Sequence, residues 1–202
     1  MSCHAGFMKA YPDRMINSVY FDTLDLVCAK DNIAGISERQ KYRLRWYGEL
    51  ASSYGARYET KVKRASLGYK EVQVANIDQR ELIGMDSAQV METLSQDKIG
   101  SLWSHYPLLK PSTYVQYERE YFEAYRGIRL TIDKSIQFNE IAPGLHLDVK
   151  GHRFYDGVVV EIKFDPSERP FVAELMRDFP FYPVRMSKYV LGLSLFSRVC
   201  YL

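Results

Sequence analysis

Cysteines are few in this sequence, and no two of them lie close together. The chain has only Cys3, Cys28 and Cys200 among its 202 residues. A disulfide framework and a structural zinc site both depend on cysteines at short, regular spacing. The sequence therefore predicts neither of them, and we expect a reducing, cytoplasmic location.

Long apolar runs and a large excess of one charge are absent as well. Nowhere do about 18 uncharged apolar residues follow one another, and residues 1–10 lack the apolar core of a signal peptide. The chain carries 27 Lys and Arg against 25 Asp and Glu, whereas proteins that coat nucleic acid have a large basic excess. We therefore predict no direct membrane insertion and no nucleic-acid partner, so any basic site must be local.

The composition is that of one globular domain. Hydrophobic residues make up 47% of the chain, which is enough to bury a core, and no repeat, low-complexity tract or linker divides it. The four histidines lack the spacing of metal ligands. We expect a single domain over residues 1–202.

Alternating apolar residues and turn signals predict an antiparallel meander with helical additions. The predicted strands are residues 16–23, 40–47, 55–63, 69–74, 113–124, 127–138 and 158–164. Helices are expected within 78–106, over 171–179 behind the cap residue Asp165, and after the cap residue Ser187. The stretch 139–157 is expected to be irregular. The order of elements indicates an α+β fold.

Basic and apolar side chains alternate between residues 41 and 46. As a β-strand, this segment points its three cations to one face and its three apolar side chains, including Trp46, to the other. Later strands repeat the scheme at residues 59–63, 117–119, 129–133 and 161–163. An antiparallel sheet with one solvated face also shows alternation, but here the polar positions are mostly Arg, Lys, Glu and Tyr.

Closing these strands into a barrel with helices outside would direct the charges into the lumen. Its cations would be Lys41, Arg43, Arg45, Lys61, Arg119, Arg129 and Lys163. Each unneutralised pair of cations about 7 Å apart costs on the order of 2 kcal/mol at an effective dielectric of about 20. The carboxylates of Glu59, Asp133 and Glu161 offset only part of this cost, and a bound triphosphate or polyphosphate would offset more. The same carboxylates are possible ligands for Mg²⁺ or Mn²⁺ bridging the phosphates.

Basic residues also flank the predicted start of the last helix. Arg185 and Lys188 lie on either side of Ser187, where cations oppose the helix dipole. A phosphate held there by Arg185, Lys188 and the free amide groups would reverse that penalty. Two exposed basic side chains near a helix start would give the same sequence.

Together these segments resemble the VTC domain, a polyphosphate polymerase module of the triphosphate tunnel metalloenzyme (CYTH-like) superfamily. The resemblance runs from about His4 to Leu193. It is carried by NSVYFDT at 17–23, KYRLR at 41–45, ETK at 59–61, YER at 117–119, RLTID at 129–133, EIK at 161–163 and SKY at 187–189. Their order and spacing are more specific than any one of them.

The resemblance implies an antiparallel eight-stranded tunnel with flanking helices that holds phosphates and a divalent metal, Mn²⁺ or Mg²⁺. The implied activity is transfer of the terminal phosphoryl group of ATP to a polyphosphate chain, with charge neutralisation as the main catalytic effect. The alternatives are a triphosphatase of the same superfamily and a non-catalytic module that binds polyphosphate or inositol phosphate. Expected partners are ATP or another triphosphate and polyphosphate, with a membrane protein or a second copy of the chain as further candidates.

The resemblance also assigns roles to residues. The implied phosphate ligands are Arg43, Arg45, Lys61, Arg119, Arg129 and Lys188, supported by Lys41, Lys163 and Arg185. Tyr117 and Ser187 would orient oxygens, with Tyr189 beside them, and Glu161 would be the best metal ligand, with Glu59 and Asp133 as the others. Family members usually begin with a strand of ExExK or ExK pattern. Only residues 1–3 precede the resembling stretch here, and a sheet lacking that strand would keep an exposed edge.

Overall fold

The computed structural model describes residues 6–49, 54–65, 67–97, 108–148, 152–179 and 182–200. Within these ranges, eight antiparallel strands form one sheet, and four α-helices pack on it. The strands are β1 Met8–Asp22, β2 Glu38–Tyr47, β3 Tyr54–Arg64, β4 Leu67–Val74, β5 Lys110–Ala124, β6 Ile128–Glu140, β7 Arg153–Tyr155 and β8 Val159–Lys163. The helices are α1 Val27–Ala34, α2 Ser87–Ser95, α3 Arg169–Leu175 and α4 Lys188–Leu195. The predicted α+β antiparallel class is confirmed.

The strands follow the order β4, β3, β2, β1, β5, β6, β7 across the sheet. β8 also pairs with β6, at residues 129–133, while β7 pairs with residues 136–138 of the same strand. Within the described ranges the sheet is therefore open, with β4 at one edge and β7 and β8 at the other. Closure into a barrel stays a prediction.

β1 is longer than the sequence predicts. It begins at Met8 and not at residue 16, because its first half pairs with the end of β5, where Tyr11 lies opposite Tyr121. Register shifts lie between Lys9 and Tyr11 and between Tyr11 and Arg14, and the second spans Pro12, which has no amide N–H to donate to a ladder. These shifts interrupt the period-2 pattern, and β1 lies in the middle of the sheet between β2 and β5.

The other elements largely follow expectation. The segment 78–106 contains a 3₁₀ turn, Gln79–Leu82, and α2, while its residues 98–106 lie outside the described ranges. Asp86 begins α2 with a capping box, in which it accepts from the amide of Gln89 at 3.0 Å. The stretch expected to be irregular contains the short strand β7. None of the described helices has the length and apolar character needed to cross a membrane.

Two helices cover the apolar face of the sheet. Leu44 and Trp46 of β2 are buried with Val90 and Leu94 of α2, and at the other end Val172 of α3 packs in a second cluster. Each large apolar side chain buried in this way contributes about 1.5–3 kcal/mol. The prediction that the apolar strand faces lie under helices is confirmed for these elements.

Helix α4 lies instead on the opposite face of the sheet. Its Val190 and Leu193 pack with Val115 and Phe138. Gly192 permits this close approach, because a Cβ at that position would lie 2.6 Å from a ring carbon of Phe138. The helix thereby reaches the same face as the charged side chains of the strands.

Candidate functional site

Strand alternation places the charged side chains on one face of the sheet, as the sequence predicts. Arg43 lies opposite Tyr20 and Glu59 in the neighbouring strands, and Arg45 lies opposite Ser18. We call this side the cationic face. Its strand members include Ser18, Tyr20, Lys41, Arg43, Arg45, Glu59, Lys61, Lys70, Tyr117, Arg119, Arg129, Asp133, Glu161 and Lys163.

Glu59 is the centre of the first ionic cluster on this face. Its carboxylate accepts hydrogen bonds from Arg43 Nε at 2.7 Å and from Lys70 Nζ at 3.0 Å, and Arg45 Nη1 lies 3.9 Å away. The side chain is only 2% exposed. Burial raises the pKa of this carboxyl, but the charges of Arg43 and Arg45 outweigh burial and lower the pKa to about 2. Glu59 is therefore an anion that neutralises part of the surrounding positive charge.

Arg45 connects three strands through its guanidinium. Its Nε donates to Ser18 Oγ at 3.2 Å and its Nη2 donates to the Tyr117 hydroxyl at 3.3 Å. Arg43 Nη1 likewise donates to the Tyr20 hydroxyl at 3.2 Å. These bonds hold both guanidinium groups in fixed positions above β1.

Asp133 is the centre of the second cluster. Arg119 binds its carboxylate in bidentate fashion, at 2.6 Å and 2.8 Å, and Lys188 of α4 forms an ion pair with the same group. Burial raises the pKa of this carboxyl, but the hydrogen bond from Arg119 and the charge of Lys188 bring the pKa below its usual value. Strand β5 and helix α4 thus both deliver a cation to one buried carboxylate.

Tyr117 joins the two clusters. Its hydroxyl accepts from Arg45, while the Arg119 guanidinium carbon and Lys188 Nζ lie 5.3 Å and 4.7 Å from the centre of its ring. Polar contacts therefore run without interruption from Lys70 on β4 to Asp133 on β6. Cations outnumber carboxylates in this network, so the face carries a net positive charge.

The pKa values of Tyr20 and Lys41 are consistent with this excess of positive charge. Burial raises the pKa of Tyr20, yet the charges of Arg43 and Arg45 outweigh burial and bring the pKa down to about 8. Burial is the main cause that lowers the pKa of Lys41 to about 8; the nearby Tyr20 hydroxyl opposes this shift, and cations that include Lys61 add to it. Both shifts favour the less positive form of the group, as expected where positive potential is not fully neutralised.

Two of the predicted residues at the start of α4, Ser187 and Tyr189, hold the helix in place. Ser187 caps the helix, since its Oγ accepts from the amide of Val190 at 3.4 Å, and it also accepts from Lys41 Nζ at 2.9 Å. Tyr189 anchors the helix, because its hydroxyl donates to Asp22 Oδ2 at 2.6 Å and its ring stacks on Tyr20. Both residues attach α4 to the sheet.

Arg185 differs from expectation. Its Nη2 donates to the carbonyl oxygen of Asn32 at 2.6 Å, and the guanidinium lies beside Gly35 at the end of α1. The structure therefore directs Arg185 to α1, whereas Lys188 binds Asp133. Arg185 binds there because the last carbonyl oxygens of a helix have no partner within the helix and accept hydrogen bonds from other groups.

The outer members of the cationic face are exposed. Lys61 lies opposite Lys41 on β3, and Arg129 lies opposite Lys163 at the far end of β6. Glu161 is 45% exposed, with Lys163 Nζ at 3.4 Å and Arg119 Nη2 at 4.0 Å. These residues extend the charged surface beyond the two buried clusters.

The three predicted metal ligands do not meet in one place. In the part of the chain that the structure describes, no group of three or more His, Cys, Asp or Glu could hold a metal ion. Glu59 and Asp133 are each enclosed by cations, whereas Glu161 keeps an exposed carboxylate. A magnesium ion bridging phosphates needs only one or two protein carboxylates, so Glu161 is the predicted ligand that fits this role.

Sequence reasoning missed three members of the network. Ser18 and Tyr20 alternate with Val19 and Phe21 along β1, a pattern that places them on the same face as Arg43. Lys70 lies opposite Lys61 on β4. In each case the period-2 pattern was the available signal, although the hydrogen bonds themselves depend on tertiary structure.

The comparisons with known proteins agree with this architecture. The VTC domain family matches residues 5–197. Among solved structures, the PH1819 protein from Pyrococcus horikoshii OT3 is similar with a TM-score of 0.50 and 14% identity, over 95% of this chain and 88% of that chain, a likeness that supports the fold alone. No curated protein matches the sequence. Because the family match spans nearly the whole chain, this protein belongs to the VTC domain family, which supports a polyphosphate-related function within the tunnel superfamily.

Proposed function

We propose that this protein is a metal-dependent polyphosphate polymerase that transfers the terminal phosphoryl group of ATP to a polyphosphate chain on the cationic face. The observation that carries the proposal is the continuous network of polar contacts from Lys70 to Lys188, in which cations outnumber carboxylates. Polyphosphate has a negative charge on every phosphate along its length. An extended row of fixed cations therefore matches it better than a compact anion.

The proposed reaction needs no covalent intermediate with the protein. A terminal oxygen of the polyphosphate chain attacks the γ-phosphorus of ATP, the bond from that phosphorus to the β,γ-bridging oxygen breaks, and ADP leaves. Arg43, Arg45 and Arg119 would hold the equatorial oxygens, where negative charge is spread in the transition state. Mn²⁺ or Mg²⁺ bound at Glu161 would supply further charge neutralisation.

Two hydroxyl groups on the cationic face would orient phosphate oxygens. The Tyr117 oxygen accepts from Arg45, and the Ser187 oxygen accepts from Lys41 and from the amide of Val190. Since each hydroxyl already acts as an acceptor, its own hydrogen can be donated to a phosphate oxygen. These residues would therefore fix the direction of the phosphate chain.

Product analysis tests the proposal. Purified protein incubated with ATP and Mn²⁺ is expected to form long-chain polyphosphate, and Arg43→Ala should lower the rate about 100-fold because it removes a donor to the transferring group. Arg80→Ala is the matched control, since Arg80 is exposed and pairs with Asp78, two residues away and outside the network. Release of orthophosphate without polymer would indicate a triphosphatase instead. Absence of polymer, or an Arg43→Ala variant as active as the wild type, would refute the polymerase.

Affinity for tripolyphosphate is expected to fall several-fold between about pH 7 and about pH 9. Over this interval Lys41 loses its positive charge and Tyr20 gains a negative one, because both have a pKa of about 8, and both changes lower the net positive charge of the face. Calorimetric titration at the two pH values measures the effect. Lys41→Arg should reduce the pH dependence, since arginine stays charged. An affinity that is equal at both pH values in the wild type would show that these groups do not face the ligand.

A further inference from the structure

An open pocket of about 760 Å³ lies at the outer end of β6 and β8. Its walls contain three cations, one carboxylate, three apolar side chains and a glycine, which are Arg126, Arg129, Lys163, Asp165, Ile162, Phe164, Pro166 and Gly127. The volume falls within the range of small-molecule sites in proteins. The combination of positive charge with apolar surface suits a ligand that has an anionic part and a planar organic part.

Two residues of the cationic face, Arg129 and Lys163, also line the pocket. Lys163 Nζ lies 3.4 Å from Glu161, and Glu161 lies 4.0 Å from Arg119 Nη2 in the Asp133 cluster. Arg129 precedes Asp133 by four residues on β6, which corresponds to about 13 Å along a strand. A ligand with several phosphates could therefore extend from the pocket towards Arg119.

A guanidinium group and aromatic rings lie at or near the pocket. The guanidinium carbon of Arg126 lies 5.9 Å from the centre of the Tyr125 ring and 5.4 Å from that of Phe171, and its Nη1 donates to Glu168 at 2.8 Å. Phe164, which also lines the pocket, is 37% exposed. Guanidinium planes and aromatic rings are the surfaces on which nucleobases stack.

We infer that this pocket binds the nucleoside end of the triphosphate substrate. The base stacks on Phe164 and the Arg126 plane, Arg129 and Lys163 bind the phosphate nearest the ribose, and the terminal phosphate points towards Arg119 and Lys188. The inference rests on the proposed function and adds to it the direction in which ATP lies on the face. It also makes Phe164 a residue that distinguishes ATP from an inorganic triphosphate.

Calorimetric titration of the full chain with ATP and with tripolyphosphate, in the absence of divalent metal, tests this inference. Phe164→Ala should weaken ATP binding about tenfold while the affinity for tripolyphosphate changes less than about twofold. Phe164→Leu keeps an apolar side chain without the ring and should behave like Phe164→Ala. Phe154→Ala is the control, since Phe154 is an exposed phenylalanine on β7 that does not line the pocket.

The outcomes separate this inference from the function on which it rests. If wild-type protein binds both ligands and Phe164→Ala changes neither affinity, or weakens both by the same factor, the pocket does not hold the nucleoside. If wild-type protein binds neither ligand, the proposed function fails and the nucleoside site fails with it.

Discussion

Asp133→Asn is expected to lower the free energy of unfolding by about 3–5 kcal/mol, the cost of leaving buried cations without their anion. The carboxylate is fully buried and is bound by both Arg119 and Lys188. Asparagine has nearly the same volume, so the loss would come from charge and not from a cavity. Denaturant-induced unfolding measures the change.

Tripolyphosphate should stabilise Asp133→Asn against thermal unfolding more than it stabilises the wild type. Tripolyphosphate would supply negative charge to Arg119 and Lys188, so it should raise the melting temperature of Asp133→Asn by more than that of the wild type. Asp78→Asn is the control, because Asp78 is a partly exposed carboxylate that pairs with Arg80 outside the network. Equal destabilisation in the two variants would show that Asp133 has no special electrostatic role.

Lys188→Met is expected to lower the rate of polyphosphate synthesis about 100-fold. Lys188 is the cation that α4 adds to the face, and its loss leaves Asp133 paired with Arg119. We therefore expect the fold to persist while phosphate binding weakens, a combination that a steady-state rate and a thermal melt would detect together.

The matched substitution for this experiment is Lys30→Met. Lys30 is an exposed lysine on α1, so the variant has the same change in charge without altering the network. Activity of Lys188→Met within about twofold of Lys30→Met would contradict a role for α4 in binding phosphate.

Much of the site could be predicted from local sequence patterns, namely strand alternation and helix capping. The alternation at Arg43, Arg45 and Glu59 depends only on strand periodicity, and the structure places these side chains together on one face. Ser187 was predictable as a helix cap for a similar reason, because the interaction lies within a few residues. Strand alternation and helix capping do not depend on contacts between elements that are far apart in the sequence.

Features that depend on tertiary structure were not predictable in this way. The amphipathic pattern of α4 does not say which face of the sheet it covers, and contacts such as Val190 with Phe138 decide this. The choice of Asn32 by Arg185 requires the end of α1 to lie nearby. The pairing of Asp133 with both Arg119 and Lys188 likewise brings together a strand and a helix distant in sequence.

A crystal structure of the protein with bound tripolyphosphate tests the central claim most directly. The account predicts phosphate oxygens within hydrogen-bonding distance of Arg43, Arg45, Arg119 and Lys188 on a single face of the sheet. Tripolyphosphate bound on another surface, with these four side chains still paired only to Glu59 and Asp133, would contradict it.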